Sequence, residues 1–554
     1  METKKVNVVF ENGEKRIVEQ GTTLAKFVDE FQKNRKGEIL AANVDNTIRE
    51  LTFEIKEDCN IKFVDLGHYD GYRIYIRGLT FLLVKAVKEL YPDREVIVNN
   101  SISKGIYFEI NGDSKLTKEE VIKIEEKMKE LVKKDTPIVK KVIPIEDART
   151  AFEESGRLDR HDALEFRTKS HVSIYSLDGI DDYFYGYMPP RTGCLKIFEL
   201  KFYHEGVILR FPLRNSPDRI EKFEEQKQLF NVFAEQKNWL RILGVSNIGE
   251  LNKIVRSGKV NEFIRVAEGL HEKKIVNIAD MIAFNKDRKR VVLIAGPSSS
   301  GKTTFAHRLA IQLRVNGLRP VTVSLDDYFL NREDTPIDEA GNYDFESLDA
   351  IDVPYFNEQL AQLIDGKEVL IPHFDFTTGQ RKKDGRKLRI DDDQIIIIEG
   401  IHGLNEKLTS SIPKQKKFKV YVSALTALNI DNHNRISTTD TRLVRRMVRD
   451  FQFRGSSAIN TIRIWPSVRR GEERNIFPFQ EQADVMFNSA LNYELGVLRE
   501  KAEDLLLEVP KGIPESLEVK RLLEFIRIFP YIEQDEIPIN SITREFLGGS
   551  CFYK

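Results

Sequence analysis

One stretch narrows what this chain can fold into more than any other. The apolar run "RVVLIAG" (290–296) leads into "GPSSSGKT" (Gly296–Thr303), and "TTFAHRLAIQLRVNG" continues from it. The order predicts a buried strand, a glycine turn and a helix, with Ala306, Leu309, Ala310 and Leu313 on one helical face and Gly317 as its stop. The octapeptide satisfies G-x-x-x-x-G-K-[ST]. Such a match arises by chance in roughly one chain of this length in fifty, so the flanking strand and helix are what make it a phosphate loop. Glycines let the backbone turn until successive N–H groups converge on one anion, which also meets the positive end of the helix. Gly296, Ser298, Ser299, Ser300, Gly301, Lys302, Thr303 and Thr304 are the expected cradle. Lys302 reaches the β- and γ-phosphates, and the Thr303 hydroxyl is suited to Mg²⁺.

Downstream, "PVTVSL" (320–325), "QIIIIEG" (394–400) and "FKVYVS" (418–423) keep the rhythm of a parallel sheet. Ligands on such sheets lie at the carboxyl ends of the strands, so polar residues just past them are the candidates. Asp326 follows the first of these strands and Glu399 closes the second. One carboxylate near a γ-phosphate can take a proton from an acceptor hydroxyl, and another can position the metal. Further on, "TRLVRRMVRDFQFRG" sets Arg442, Arg445, Arg446 and Arg449 along one flank of a helix. That strip suits a solvated basic face or an RNA-contacting helix.

The segments "GPSSSGKTTF", "SLDDYF", "YDFESLDAID", "IPHFDFTTGQR", "IIIIEGIHGL" and "DTRLVRRMVRD" occur in this order between about residues 290 and 488. Together they resemble the signature segments of uridine kinases and the wider phosphoribulokinase/uridine kinase family. The resemblance implies an ATP- and Mg²⁺-dependent phosphotransferase acting on the 5′-hydroxyl of a nucleoside, with ATP as co-substrate. In it Asp326 is the general base, Phe329 and Phe374 line the base pocket, Glu346 grips the ribose hydroxyls and Glu399 belongs with Mg²⁺. The arginine helix is the lid, with Arg442 among the substrate contacts and Arg445, Arg446 and Arg449 closing over the phosphates. One position departs from the pattern. Pyrimidine-specific members carry a base-reading His where this chain has Gly379, so uridine selectivity is not implied.

Nearly 300 residues precede the loop. The whole chain, 554 residues, is too long for one core, and about three or four domains are expected. Residues 1–66 read β-β-α-β-β, with Asn12-Gly13 suited to a primed hairpin turn and "GTTLAKFVDEF" to a Thr-capped helix. This resembles a TGS β-grasp domain. In 67–211, "LTFLLVKAVKELYPDREV" reads as a helix closed before Pro92, and Thr117 with Glu120 as a capping box. That order, with "DDYFYGYMPPRTG" (181–193), resembles the second additional domain of threonyl-tRNA synthetases, an editing domain. Its two pairs of metal-like site residues align with Arg77 and Phe81, and with Phe184 and Met188, side chains that cannot form the cluster. Editing activity is therefore not expected, although the likeness leaves room for RNA contact through the N-terminal half. His68, His161, His171 and His204 have no ligand spacing. Residues 212–288 are expected to form a helical connector, 289–490 the kinase-like domain and 491–554 a helical extension with no assigned chemistry. The fold class is multidomain α/β and α+β: a β-grasp domain, an editing-like α+β domain, and a P-loop parallel-sheet domain with its helical extension.

Composition excludes several classes. The formal net charge is −1, so there is no global basic field for nucleic acid. Cys59, Cys194 and Cys551 lack zinc or disulfide spacing, which fits a reducing compartment. The N-terminus has no signal-like apolar region and no run of about 18 apolar residues occurs, so a cytoplasmic protein without membrane partners is expected. A TGS-type GTPase would need N-K-x-D after the loop. The one look-alike, "NKDR" at Asn285, precedes it. A regulatory RNA- or tRNA-binding protein that only senses nucleotide would not need Asp326 and Glu399 together, which favours live catalysis.

Overall fold

The computed structural model describes residues 4–552 apart from 166, 168, 286–288, 340 and 411; most of "NKDR" and the last two residues lie outside the described set. In the first domain the strands Lys5–Phe10, Lys15–Glu19, Ile39–Val44, Thr47–Glu50 and Cys59–Asp65 form one sheet, in the order second, first, fifth, third, fourth. The first and fifth run parallel. Alternate residues Val6, Val8 and Phe10 meet Phe27, Ile61 and Phe63 in its core.

Two local expectations differ here. Of the hairpin residues Asn12 and Gly13, only Gly13 has positive φ (82°), and Phe10 N–H donates to Glu14 O at 2.9 Å. The hairpin thus closes around a left-handed glycine instead of a two-residue primed turn, with the Asn12 side chain accepting from Glu14 N–H at 3.0 Å. Thr23 makes no side-chain cap, and the α-helix is only Val28–Gln32. Amides that a cap would precede are taken across the domain instead: Leu24 N–H donates to Phe53 O and Ala25 N–H to Leu51 O.

The second domain is built on the helix Tyr69–Leu90, which stops before Pro92. A four-stranded sheet (Glu199–Tyr203, Gly206–Arg210, Gly105–Asn111, Glu95–Ile102) and a three-stranded one (Ile180–Tyr183, His171–Leu177, Val139–Pro144) belong to the same domain. The helix Lys118–Lys134 starts with the capping box of Thr117 and Glu120. The four degenerate positions come together as packed interior. Phe81 lies against Phe184 with ring centroids 5.0 Å apart, and Met188 joins them in one buried cluster with Tyr175 and Ile138. Arg77 donates from Nε to Tyr187 O at 2.8 Å. Its guanidinium carbon would lie 2.7 Å from a Cβ at residue 186, where φ is 125° and the backbone favours glycine. Burial lowers the Arg77 pKa to about 10.

The connector contains helices Lys227–Leu243, Ile248–Arg256 and Val260–Ala283. Residues 219–226, expected to be helical, are irregular. The first helix begins where the Glu481 carboxylate accepts from Gln228 N–H (2.8 Å) and Leu229 N–H (3.1 Å). Its start is therefore set by a residue more than 250 positions away in the chain. The helix Val260–Ala283 lies on the phosphate-loop helix Lys302–Val315, with Arg308 paired to Glu268 and Glu272.

In the C-terminal domain five parallel strands lie in the order Arg319–Ser324, Gln394–Glu399, Val291–Ala295, Lys417–Ser423, Val485–Asn488. The central strands Val291–Ala295 and Gln394–Glu399 are apolar runs buried on both faces, whereas the edge strand Arg319–Ser324 is only partly covered. "IPHFDFTTGQR" forms an antiparallel hairpin, Val369–Asp375 with Gln380–Leu388, turning at Gly379 (φ 72°). No helix among the described residues is long and apolar enough to cross a membrane.

The two halves are joined by a buried polar seam. Asp182 accepts from Arg160 Nε and pairs with His433 Nδ1, both at 2.6 Å. Asn434 donates to Tyr183 O at 3.0 Å and accepts from Tyr185 N–H at 2.8 Å. Val98 N–H donates to Asn432 O at 2.8 Å. Residues 432–434, just ahead of the arginine helix Thr438–Arg454, are thus held by the synthetase-like half.

Candidate active site

The loop's geometry follows from close approach. A Cβ at Gly296 would stand 1.9 Å from Val422 O, so only glycine lets the loop rest on the neighbouring strand. Ser299 (φ 58°) and Gly301 (φ 81°) are left-handed, and Lys302 starts the 14-residue helix Lys302–Val315. The buried hydroxyls of Ser299 and Ser300 have no hydrogen-bond partner. Buried polar groups are rarely left so, and an anion in the cradle would satisfy them. Lys302 Nζ donates to Pro297 O at 3.2 Å.

Beside the loop is a cavity of about 490 Å³, lined by Thr303, Ser324, Asp327, His373, Arg386 and Glu399 among others. Ser324 Oγ donates to Glu399 at 2.8 Å. Burial, then the nearby Asp326 charge, raises the Glu399 carboxyl to about 7. The carboxylates of Asp327 and Glu399 and the hydroxyl of Thr303 line one cavity, a donor set that fits Mg²⁺, which takes one or two carboxylates and leaves its other positions to phosphate and water. Asp327, not Asp326, lines the cavity; it pairs with His373 Nδ1 at 3.3 Å and accepts from Phe374 N–H at 3.3 Å. Asp326 is close enough to both Glu399 and Arg454 to shift them.

Phe329 and Phe374 are buried against each other, with ring centroids 5.6 Å apart, and Phe345 and Phe376 complete the aromatic group. Neither Phe329 nor Phe374 lines the cavity that holds Thr303 and Glu399. Arg454 lies 4.3 Å over the Phe376 ring, and burial lowers its pKa to about 10. The place where the Gly379 side chain would begin is filled by Arg332, whose Nε would be 2.6 Å from a Cβ there.

Glu346 is buried and its Oε2 has no partner. Burial, then the charge of Glu472, raises it to about 7, against the pull of Arg446, Lys302 and Arg442. Glu472 stays ionised because Arg442 and Arg469 hold it. Of the two carboxyls, Glu346 is the one held above its ordinary range and Glu472 the one held below it. A carboxyl whose folded pKa lies above its unfolded value of 4.5 favours folding only while protonated, so its contribution is lost as pH rises from about 4.5 to 7. Glu346→Gln is expected to leave stability unchanged near pH 4 and to raise it above pH 7, by up to about 3 kcal/mol. Thermal unfolding of both proteins across that range checks it.

The arginine helix is divided. Arg442 (1% exposed) is ion-paired with the fully buried Glu472 and donates from Nε to Ser298 O at 3.0 Å. Arg445 (0% exposed) is committed to Glu494 and to Ser489 O. Arg446 donates to Ser298 Oγ at 2.9 Å and to Asp450 at 3.1 Å, and Arg449 pairs with Asp450 at 2.7 Å. The single positive strip expected from the spacing is thus corrected: two arginines are enclosed braces beneath the loop. The helix is sandwiched between the loop and the segments carrying Glu472 and Glu494, whose charges offset it. Sequence reasoning missed those two glutamates, the Asp327–His373 pair and Arg332. Arg454 stood in the quoted basic segment, past the four counted positions.

A phosphate cradle at the carboxyl edge of a parallel sheet, facing paired carboxylates, defines a P-loop kinase domain. Residues 291–494 match the model of the Phosphoribulokinase / Uridine kinase family. The N-terminal half is similar to threonine–tRNA ligases. That of Burkholderia lata is 30% identical over 196 residues, 35% of this chain and 31% of the ligase. That of Francisella tularensis subsp. novicida is 27% identical over 195 residues, again 35% and 31%. The chain therefore matches less than a third of the length of these relatives. Among solved structures, one described as "a Possible Uridine Kinase from Bacillus stearothermophilus" is 23% identical, with 39% of this chain and 98% of that chain covered and a TM-score of 0.28. D-glycerate 3-kinase from Cryptococcus neoformans var. grubii is 18% identical, with 48% and 89% covered and a TM-score of 0.23.

Proposed function

We propose that the C-terminal domain transfers the γ-phosphoryl group of ATP to the 5′-hydroxyl of a nucleoside. The observation that carries this is the pairing of a cradle holding two partnerless buried hydroxyls with strand-end carboxylates at its mouth. Asp326 takes the acceptor proton, and Lys302 with Arg446 steadies charge on the transferring group. Thr303 and Glu399 would hold Mg²⁺, which supplies further neutralisation of phosphate charge when bound. Phe329 and Phe374 back an aromatic group whose exposed members, Phe345 and Phe376, offer apolar area for a base, and Glu346, whose partnerless Oε2 is buried, can hydrogen-bond a ribose hydroxyl. We place the protein in the cytoplasm, a reading supported by three free cysteines.

Incubating the full chain with ATP, Mg²⁺ and a panel of nucleosides tests the reading; a 5′-monophosphate product is expected. No product from any nucleoside, together with tight RNA binding, would replace it with the regulatory alternative, which the likeness of the N-terminal half to threonine–tRNA ligases favours. The acceptor is read without a histidine at residue 379. Gly379→His is expected to destabilise the protein by about 1–3 kcal/mol without creating uridine preference, because residue 379 has φ 72° and Arg332 occupies the side-chain space. Thermal unfolding and the same panel read both effects.

A further inference from the structure

The C-terminal segment, which carried no chemistry in the sequence, lies on the phosphate loop. Ser541, Ile542 and Thr543 are buried, and the short helix Arg544–Leu547 follows. Glu545 Oε2 accepts from Thr304 N–H at 3.0 Å, in the first turn of the helix that leaves the loop. Ile542 Cγ2 would be 2.5 Å from a Cβ at Gly301, so it sits on the loop's second glycine. Phe546 is buried beneath Arg445, whose guanidinium lies 4.8 Å from its ring centroid. Phe552 stacks on His307 at 5.3 Å with rings 7° from parallel. Lys501 Nζ donates to Leu547 O at 2.9 Å and closes the segment down. The charge of Glu545 is among those that raise Glu399, so it is felt inside the site.

A carboxylate and a phosphate oxygen offer a backbone N–H the same ionised acceptor, and one N–H at a helix start cannot serve both well. The Ser299 and Ser300 hydroxyls remain without partners while the tail is in place. The tail therefore covers the helix end of the cradle and leaves the bend of the loop unsatisfied. We propose that Ser541–Phe552 is an intramolecular plug of the nucleotide site, with Glu545 standing where a nucleotide phosphate binds, so that ATP must displace it. The proposal rests on the loop being the ATP site. It places a competitor for nucleotide in the chain itself and acts on affinity, not on the chemical step.

Titration of ATP into the full chain and into Glu545→Ala, by calorimetry, tests it without reference to any acceptor. Loss of a charged hydrogen-bond competitor is expected to tighten ATP binding roughly tenfold to a hundredfold. In the unaltered protein, saturating ATP is expected to speed amide hydrogen exchange across 541–552 while the strands of the parallel sheet stay protected. This second measurement needs no variant. Equal affinities together with unchanged exchange of the tail overturn the plug and leave the kinase reading standing. Absence of ATP binding in both proteins overturns the plug and the kinase reading alike.

Discussion

Asp326→Asn is expected to lower kcat for phosphoryl transfer by about 10²- to 10⁴-fold while ATP affinity stays unchanged. Asparagine keeps the volume of the side chain and removes both its ability to take a proton and the charge felt by Glu399 and Arg454. The loose transition state of phosphoryl transfer leaves most catalysis to positioning and charge, so the loss belongs to that range and not to the larger one for complete loss of the site. Asp327→Asn is the informative companion. Asp327 lines the cavity beside Thr303 and Glu399, is raised by burial and is paired with His373. A small effect there, beside a large one at Asp326, supports the assignment. The reverse pattern would make Asp327 the base and assign Asp326 to balancing Glu399 and Arg454. Steady-state rates with the nucleoside that turns over best decide between them.

Arg445→Ala is expected to destabilise the C-terminal domain by about 3–5 kcal/mol. The substitution leaves Glu494, almost fully buried, without its cation, and empties the space above Phe546. An uncompensated buried charge is what makes the effect large, so replacing both partners with apolar side chains, Arg445→Met with Glu494→Leu, is expected to recover most of the loss. Denaturant unfolding followed by Trp465, buried beside Arg442 in this domain, measures it. Arg446→Ala should behave in the opposite sense. Its partners are Ser298 Oγ on the loop and Asp450 on its own helix, so its loss belongs in the kinetics more than in the unfolding curve.

The parts of the site that were legible in the sequence are those made by neighbours in the chain. The strand before Gly296, the helix face of Ala306, Leu309 and Leu313, and the capping box of Thr117 and Glu120 depend on spacings of one to four residues. The strand-end positions of Asp326 and Glu399 follow from the rule that parallel strands deliver their carboxyl ends to one edge. Two local expectations differ from the structure: the hairpin closes around the left-handed Gly13 alone, and at Thr23 the amides of Leu24 and Ala25 are taken by Phe53 O and Leu51 O.

Sequence by itself therefore determined the phosphate loop and the order of the strands that carry it along the chain. Tertiary structure alone decided which charges are spent on one another. Arg442 finds Glu472 thirty residues on, Arg445 finds Glu494 forty-nine on, and Thr304 finds Glu545 two hundred and forty-one on. The reason is physical. A helix repeat states which side chains share a face, but the partner of a buried charge is set by whatever the fold brings against that face, and in a low-dielectric interior that partner decides whether an arginine or a backbone N–H is available to a ligand.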